Sequence, residues 1–215
     1  LQFPHLAPDA ILSVDPFPRV GAAMLEVEMK FRVADWADIR AKLSAAGAVA
    51  EPQREDTDHY FNAPDRDFAQ TDEAVRLRRI GAENYLTYKG PKIDTLTKSR
   101  PEIELRLADG ALAAADAVRF LSSLKYRPVA VVSKLRQVFK FEREGFTLSA
   151  CLDDVGAVGR YVEVEIMADE ARYEEARAVL LRAVADLGLD EQERRSYLRL
   201  LLEQSAMRTP PPKRK

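Results

Sequence analysis

The stretch Leu25–Val33, LEVEMKFRV, alternates with a period of two. Leu25, Val27, Met29 and Phe31 fall on one side, and Glu26, Glu28, Lys30 and Arg32 on the other. Successive side chains of a strand point to opposite faces, so the stretch predicts a strand with one apolar and one charged face. The charged face has two readings. It meets water, as in many half-buried antiparallel strands, or it gathers oxygen ligands for a hard cation beside an ammonium for phosphate. Taken alone, the stretch reads as solvated. The choice turns on whether other strands repeat the pattern.

They do. Ala74 to Ile80 (AVRLRRI) and Asn84 to Lys89 (NYLTYK), joined by Gly81-Ala82-Glu83, predict a hairpin with Arg76 and Arg78 on one face and Val75 and Leu77 on the other. Gly90-Pro91 break the second arm, and Gly-Pro-Lys lacks the glycine spacing of a P-loop. Ser99 to Leu107 sets Glu102, Glu104 and Arg106 against Ile103, Leu105 and Leu107. Pro128 to Glu142 carries Lys134 and Arg136 in one phase and Leu135 in the other. Phe146 to Asp154 carries Asp153, and Tyr161 to Met167 sets Glu163 and Glu165 against Val162, Val164 and Ile166. Ala50 to Asn62, ending in DTDHYFN, is a further strand; its Asp58, His59 and Tyr60 read equally as ligand contacts or as residues of a strand end.

Helical spacing marks Asp35 to Gly47, with Asp35 as N-cap, Gly47 as stop and Trp36 as core anchor. Ala111 to Leu124 and Glu170 to Leu187 are amphipathic helices, the latter stopped by Gly188, and Ser196 to Glu203 is a short closing helix. Eight sequential, mostly hairpin-linked strands interrupted by helices predict an α+β fold: a closed eight-stranded antiparallel β-barrel with helices packed on the outside. The apolar strand faces then need helical cover, which turns the charged faces into the lumen. Glu26, Glu28, Glu102, Glu104, Asp153, Glu163 and Glu165 would face Lys30, Arg76, Arg78, Lys89, Lys134 and Arg136 there, with Arg100 and Arg106 nearby. Such a lining repels itself unless a ligand neutralises it, and a polyphosphate chelated by a divalent metal neutralises both sets at once. The competing reading is an ordinary barrel whose charged faces meet solvent and form cross-strand salt bridges.

Composition narrows the class. The chain has 215 residues, 47% hydrophobic and 32% charged, which fits a globular protein of one domain. A formal net charge of −2 gives no case for bulk binding to nucleic acid or to a membrane surface. The lone Cys151 excludes an intrachain disulfide and suits a reducing cytoplasm. Two histidines far apart argue against a Cys/His zinc site. Residues 1–23, with Pro4, Pro8, Pro16 and Pro18, lack the pattern of a secretory signal and read as a flexible leader. Residues 24–205 form the domain and 206–215 a disordered basic tail. A homodimer is an arrangement the sequence leaves open.

Glu26-x-Glu28-x-Lys30, Arg76-x-Arg78, Lys89 in YKGP, Arg100 with Glu102, Lys134-x-Arg136, Asp153 in LDDV and Gly159-x-Tyr161-x-Glu163-x-Glu165 together resemble the CYTH superfamily, the triphosphate tunnel metalloenzymes. Their order, with Arg195-Ser196-Tyr197, is most similar to the class IV adenylyl cyclase (CyaB-type) branch, over about Met24 to Glu203. The leader before Met24 has no obvious counterpart in that pattern. The resemblance implies a triphosphate tunnel with Mg²⁺ or Mn²⁺. It gives metal binding to Glu26, Glu28, Glu163, Glu165 and Asp153, and phosphate binding to Lys30, Arg76, Arg78, Lys89, Lys134 and Arg136. Lys30, Lys134 and Asp153 would be catalytic, and Glu102 and Glu104 acidic lining without a fixed role. It implies a cytoplasmic enzyme acting on a nucleoside triphosphate or another triphosphate: an adenylyl cyclase making cAMP and pyrophosphate, or a triphosphatase. A non-catalytic polyphosphate or nucleotide binder would need only the basic set.

Overall fold

A computed structural model describes residues 24–208. The expected leader, 1–23, and the tail from 209 onward lie outside the described residues. The chain runs β1 (Leu25–Val33), α1 (Ala37–Ala45), β2 (Val49–Ala50), β3 (Arg54–Asn62), α2 (Phe68–Thr71), β4 (Ala74–Ile80), β5 (Glu83–Lys89), β6 (Arg100–Arg106), α3 (Ala111–Ser123), β7 (Arg127–Arg143), β8 (Phe146–Asp154), β9 (Arg160–Ala168), α4 (Tyr173–Leu187) and α5 (Tyr197–Arg208). The stretch read as one strand from Ala50 divides into β2 and β3. The closing helix reaches Arg208, three residues into the expected tail.

The strands pair in the order β7-β3-β4-β5-β6-β1-β9-β8, and β8 pairs back with β7, while β2 pairs with Phe139 and Lys140 of β7, beyond the stretch that β3 occupies. The long strands thus follow one another round a ring, antiparallel throughout. The ring has one thin seam. β1 and β6 share only the register pairs Leu25↔Pro101 and Glu26↔Arg100, against a continuous ladder from Leu25 to Val33 between β1 and β9. Proline has no N–H to give a ladder, so Pro101 weakens the seam where it begins. The stretch 91–99 lies along the gap. Its Lys98 N–H donates to the Glu28 carbonyl at 2.8 Å, and Gln192 Nε2 donates to the Leu96 carbonyl at 2.7 Å.

The apolar side of β1 joins those of β8 and β9 in the main core, where Val27, Met29, Phe31, Leu148, Val162 and Val164 pack under α1 and α4. A second core sets Leu77 and Val75 of β4 and Phe61 of β3 against Ala114 and Leu121 of α3. Trp36 packs against the main core, as expected, and donates from Nε1 to the Tyr161 carbonyl at 3.2 Å. Helical cover is incomplete, however. Ile103 and Leu105 of β6 stay 57% and 54% exposed, because among the described residues no helix packs closely on that strand's outer face.

The other side of β1 decides between its two readings. Glu26, Glu28 and Lys30 are 6%, 4% and 0% exposed, so this charged face is shielded from bulk water except at Arg32 near the strand's end, which is exposed. The strand is buried on both sides, and its polar side looks into the ring.

Candidate functional site

Inward-facing positions on neighbouring strands bring opposite charges together. On β3 and β4, register partners Asp58 and Arg78 form a buried fork: Arg78 Nε and Nη2 donate to the two Asp58 oxygens at 2.7 and 2.8 Å. Burial alone would raise the Asp58 carboxyl, but Arg78 and then Arg76 overcome it and hold the group well below the usual carboxylate range. Arg76 reaches Asp58 at 3.6 Å and Glu102 at 3.9 Å. Lys89, at the end of β5, donates to Glu26 Oε2 at 2.5 Å and lies 2.6 Å from Glu102 Oε2.

A second fork joins β7 and β8. Arg136 Nε donates to Asp153 Oδ1 at 2.7 Å, while Nη2 serves Asp153 Oδ2 and Glu163 Oε2, both at 2.5 Å. Lys134 Nζ lies 3.5 Å from the same Asp153 oxygen, and the Tyr197 hydroxyl donates to it at 2.9 Å. Asp153 is therefore engaged by an arginine, a lysine and a phenol. Burial would raise Glu163, but Lys98 and Arg136 hold it well below its ordinary value.

Lys30 is placed differently. Among the described residues no carboxylate lies within ion-pair distance of it. Its ammonium donates to the Arg195 carbonyl and sits 4.0 Å from the centroid of the Tyr197 ring, which also lies 5.2 Å from Lys134 Nζ. Burial, reinforced by Lys98, lowers Lys30 to about 7. Tyr197 belongs to an apolar cluster in which inward-facing Tyr60, Val132 and Tyr161 meet Tyr197 and Leu200 of α5, so one end of the ring is lined by apolar side chains rather than by charge.

The acidic side gathers on β1 and β9. Glu28 and Glu165 are register partners, and Lys30 pairs with Glu163 in the same ladder. Glu28 is taken by Lys98, which also lies 3.8 Å from Glu163. Glu165 has no ion pair among the described residues; burial, then Glu26 and Glu28, push it up to about 7. These oxygen donors suit a hard divalent cation, which would relieve Glu165. No three carboxylates converge into a cage among the described residues, because Lys89 and Lys98 draw Glu26 and Glu28 aside.

These groups, except the fully buried Asp153, line a cavity of about 1300 Å³ that holds all the residues expected to bind phosphate. Of the uncertain acids, Glu102 is inside, paired with Lys89. Glu104 is exposed at the rim, accepting from Thr87 Oγ1 at 3.2 Å. Arg106 turns to Glu83 and Asp109, outside the cluster, since β6 has left the seam by that point. Asp56 and Lys98 were not expected in the site. Asp56 and Asp58 share the period-two phase of β3, a signal the sequence does carry. Lys98 sits in a stretch without periodicity and gives none.

A ring of strands around a cavity lined with both signs of charge defines the class of protein. The CYTH domain model matches residues 24–197, and the chain belongs to the CYTH family. It is 32% identical over 181 residues to MJ0240 of Methanocaldococcus jannaschii, a candidate adenylate cyclase, covering 82% of this chain and 98% of that one. The structure of PH1819 from Pyrococcus horikoshii is similar at 35% identity and a TM-score of 0.71, over 83% of this chain and 99% of that one. HpAC1 from Hippeastrum, a candidate adenylyl cyclase described as having a dominant triphosphatase activity, shares the fold at 15% identity and a TM-score of 0.61, over 84% and 96%. Among the described residues no helix is long and apolar enough to cross a membrane.

Proposed function

We propose that this chain is a metal-dependent enzyme acting on a triphosphate held inside a closed β-ring, and that it is an adenylyl cyclase converting ATP to cAMP and pyrophosphate. The observation that carries this reading is the gathering of buried Lys30, Arg78, Lys89, Lys134 and Arg136, with partly buried Arg76, around one cavity, facing Glu26, Glu28 and Glu165. A row of phosphoryl groups suits such a lining, because guanidinium forks and ammonium groups neutralise its oxygens without solvent. Mg²⁺ or Mn²⁺, bound by Glu26, Glu28 and Glu165 with Glu163 and Asp153 beside them, would neutralise charge on the triphosphate oxygens.

The residues of the chain supply position. Arg76 and Arg78 reach the cavity from β4, Lys134 and Arg136 from β7, and Lys30 from β1. An anion between them is clamped from three directions. Asp153, bound to Arg136 and Tyr197, sets the direction of the Arg136 fork. In the cyclase reading the ribose 3′-hydroxyl attacks the α-phosphorus and pyrophosphate leaves. The name borne by MJ0240 supports this reading. The second reading, supported by the activity described for HpAC1 on the same fold, has water attack a terminal phosphorus.

Incubation of the protein with Mg²⁺ or Mn²⁺ and ATP, then with inorganic triphosphate, separates the readings by product. Cyclic AMP and pyrophosphate mark the cyclase, free phosphate the triphosphatase, and binding without turnover contradicts both. Glu28→Ala and Lys134→Ala are each expected to lower turnover by roughly 10²–10³-fold with circular dichroism unchanged. Full activity in either variant removes that residue from the site.

A further inference from the structure

Arg76, Arg78, Lys89, Lys98, Lys134 and Arg136 of the cavity wall each have a carboxylate within 4 Å. Arg100 has none among the described residues. It is 8% exposed, it lines the same cavity, and its Nε is buried without a hydrogen-bond partner. The nearby acids are committed elsewhere. Glu26 stands opposite Arg100 in the β1–β6 register but gives its carboxylate to Lys89 at 2.5 Å. Asp72 is held by the backbone N–H of Lys92 at 3.0 Å and by the Lys92 ammonium. An ionised guanidinium removed from water without a counter-ion costs folding energy, and arginine cannot escape that cost by losing its proton.

From this we infer that Arg100 is a further anion-binding residue of the cavity, a subsite for a phosphoryl group of the bound chain at the seam where β6 meets β1. The inference rests on the triphosphate reading of the cavity and adds a contact to it. The forks of Arg78 and Arg136 must give up a carboxylate to take a phosphate, whereas Arg100 gives up nothing. It is thus among the first groups an incoming polyanion meets on favourable terms, and its planar fork suits two phosphate oxygens at once.

A residue that holds the fold and one that waits for a ligand respond to removal with opposite signs. Arg100→Gln keeps a polar side chain and deletes the buried charge. The variant is expected to melt at or above the wild-type temperature without ligand. Its affinity for inorganic triphosphate, measured by calorimetry in EDTA, is expected to fall at least tenfold. Arg100→Lys restores the charge without the fork and is expected to recover part of that affinity. A lower melting temperature for Arg100→Gln assigns the guanidinium to the fold and overturns the inference, as does undiminished triphosphate binding. If the wild-type protein binds no triphosphate either in EDTA or with Mn²⁺ present, the reading of the whole cavity fails, an outcome distinct from failure at Arg100 alone.

Discussion

Asp58 has opposite consequences for folding and for ligand binding. Its two oxygens hold the Arg78 fork and its charge reaches Arg76, with all three side chains removed from solvent. Removing one partner of a buried pair leaves an uncompensated charge and costs roughly 3–5 kcal/mol. Asparagine falls at the lower end of that range, since its carbonyl still accepts one bond. The same change frees two guanidinium groups for phosphate. Asp58→Asn is therefore expected to lower the urea midpoint while raising affinity for inorganic triphosphate in EDTA. Affinity that falls with stability would instead make Asp58 the organiser of those arginines. The pH dependence has a definite sign. The folded carboxyl titrates far below its ordinary value, so the stabilisation is complete above the unfolded value of about 4 and fades as pH drops below it. Wild-type stability between pH 2 and about 4 should fall more steeply than that of Asp58→Asn, measured by urea titration across that range.

At the scale of elements, α4 shows how a local stop positions a distant wall. Gly188 ends the helix at φ 70° in the left-handed region, and a Cβ there would lie 2.6 Å from the Lys42 ammonium. That ammonium donates to the Leu187 carbonyl at 2.8 Å, tying the end of α4 to α1. A left-handed conformation costs a non-glycine residue about 1–2 kcal/mol, so Gly188→Ala should lower the urea midpoint accordingly, with the m-value unchanged. Turnover at saturating substrate should not change, because the stop lies on the outer side of the main core. The stop was legible in the sequence, as were the charged strands: LEVEMKFRV, AVRLRRI and YVEVEIM each show period two, and each stands where the alternation put it. What stayed hidden depends on pairing partners that periodicity does not name. The thin β1–β6 seam follows from a register no single strand reveals. Lys98 enters the site only because the 91–99 stretch lies along that seam. Ile103 and Leu105 stay exposed because none of the described helices packs closely on the outer face of β6.

For the whole molecule, the decisive property is that most members of the two charge sets are engaged with each other, Lys30, Arg100 and Glu165 excepted. Glu26 rests on Lys89, Glu28 on Lys98, and Asp153 on Arg136. A triphosphate alone can win the arginines and lysines only by stranding these carboxylates, and a divalent cation alone can win the carboxylates only by stranding ammonium groups. Each ligand removes the cost that the other imposes, so their binding is cooperative by exchange of partners, and each raises the other's affinity by the same factor. Saturation at about one hundred times the dissociation constant stabilises a protein by about 2.7 kcal/mol, which for a domain of this size is a rise of roughly 5–10 °C in Tm. Inorganic triphosphate with Mn²⁺ is expected to produce a rise of that order at concentrations where either added singly produces little. Addition of EDTA should return the melting curve to that of triphosphate alone. If the rise with both present is no more than the sum of the separate rises, the two charge sets do not trade partners, and the salt bridges inside the ring are structural rather than displaceable.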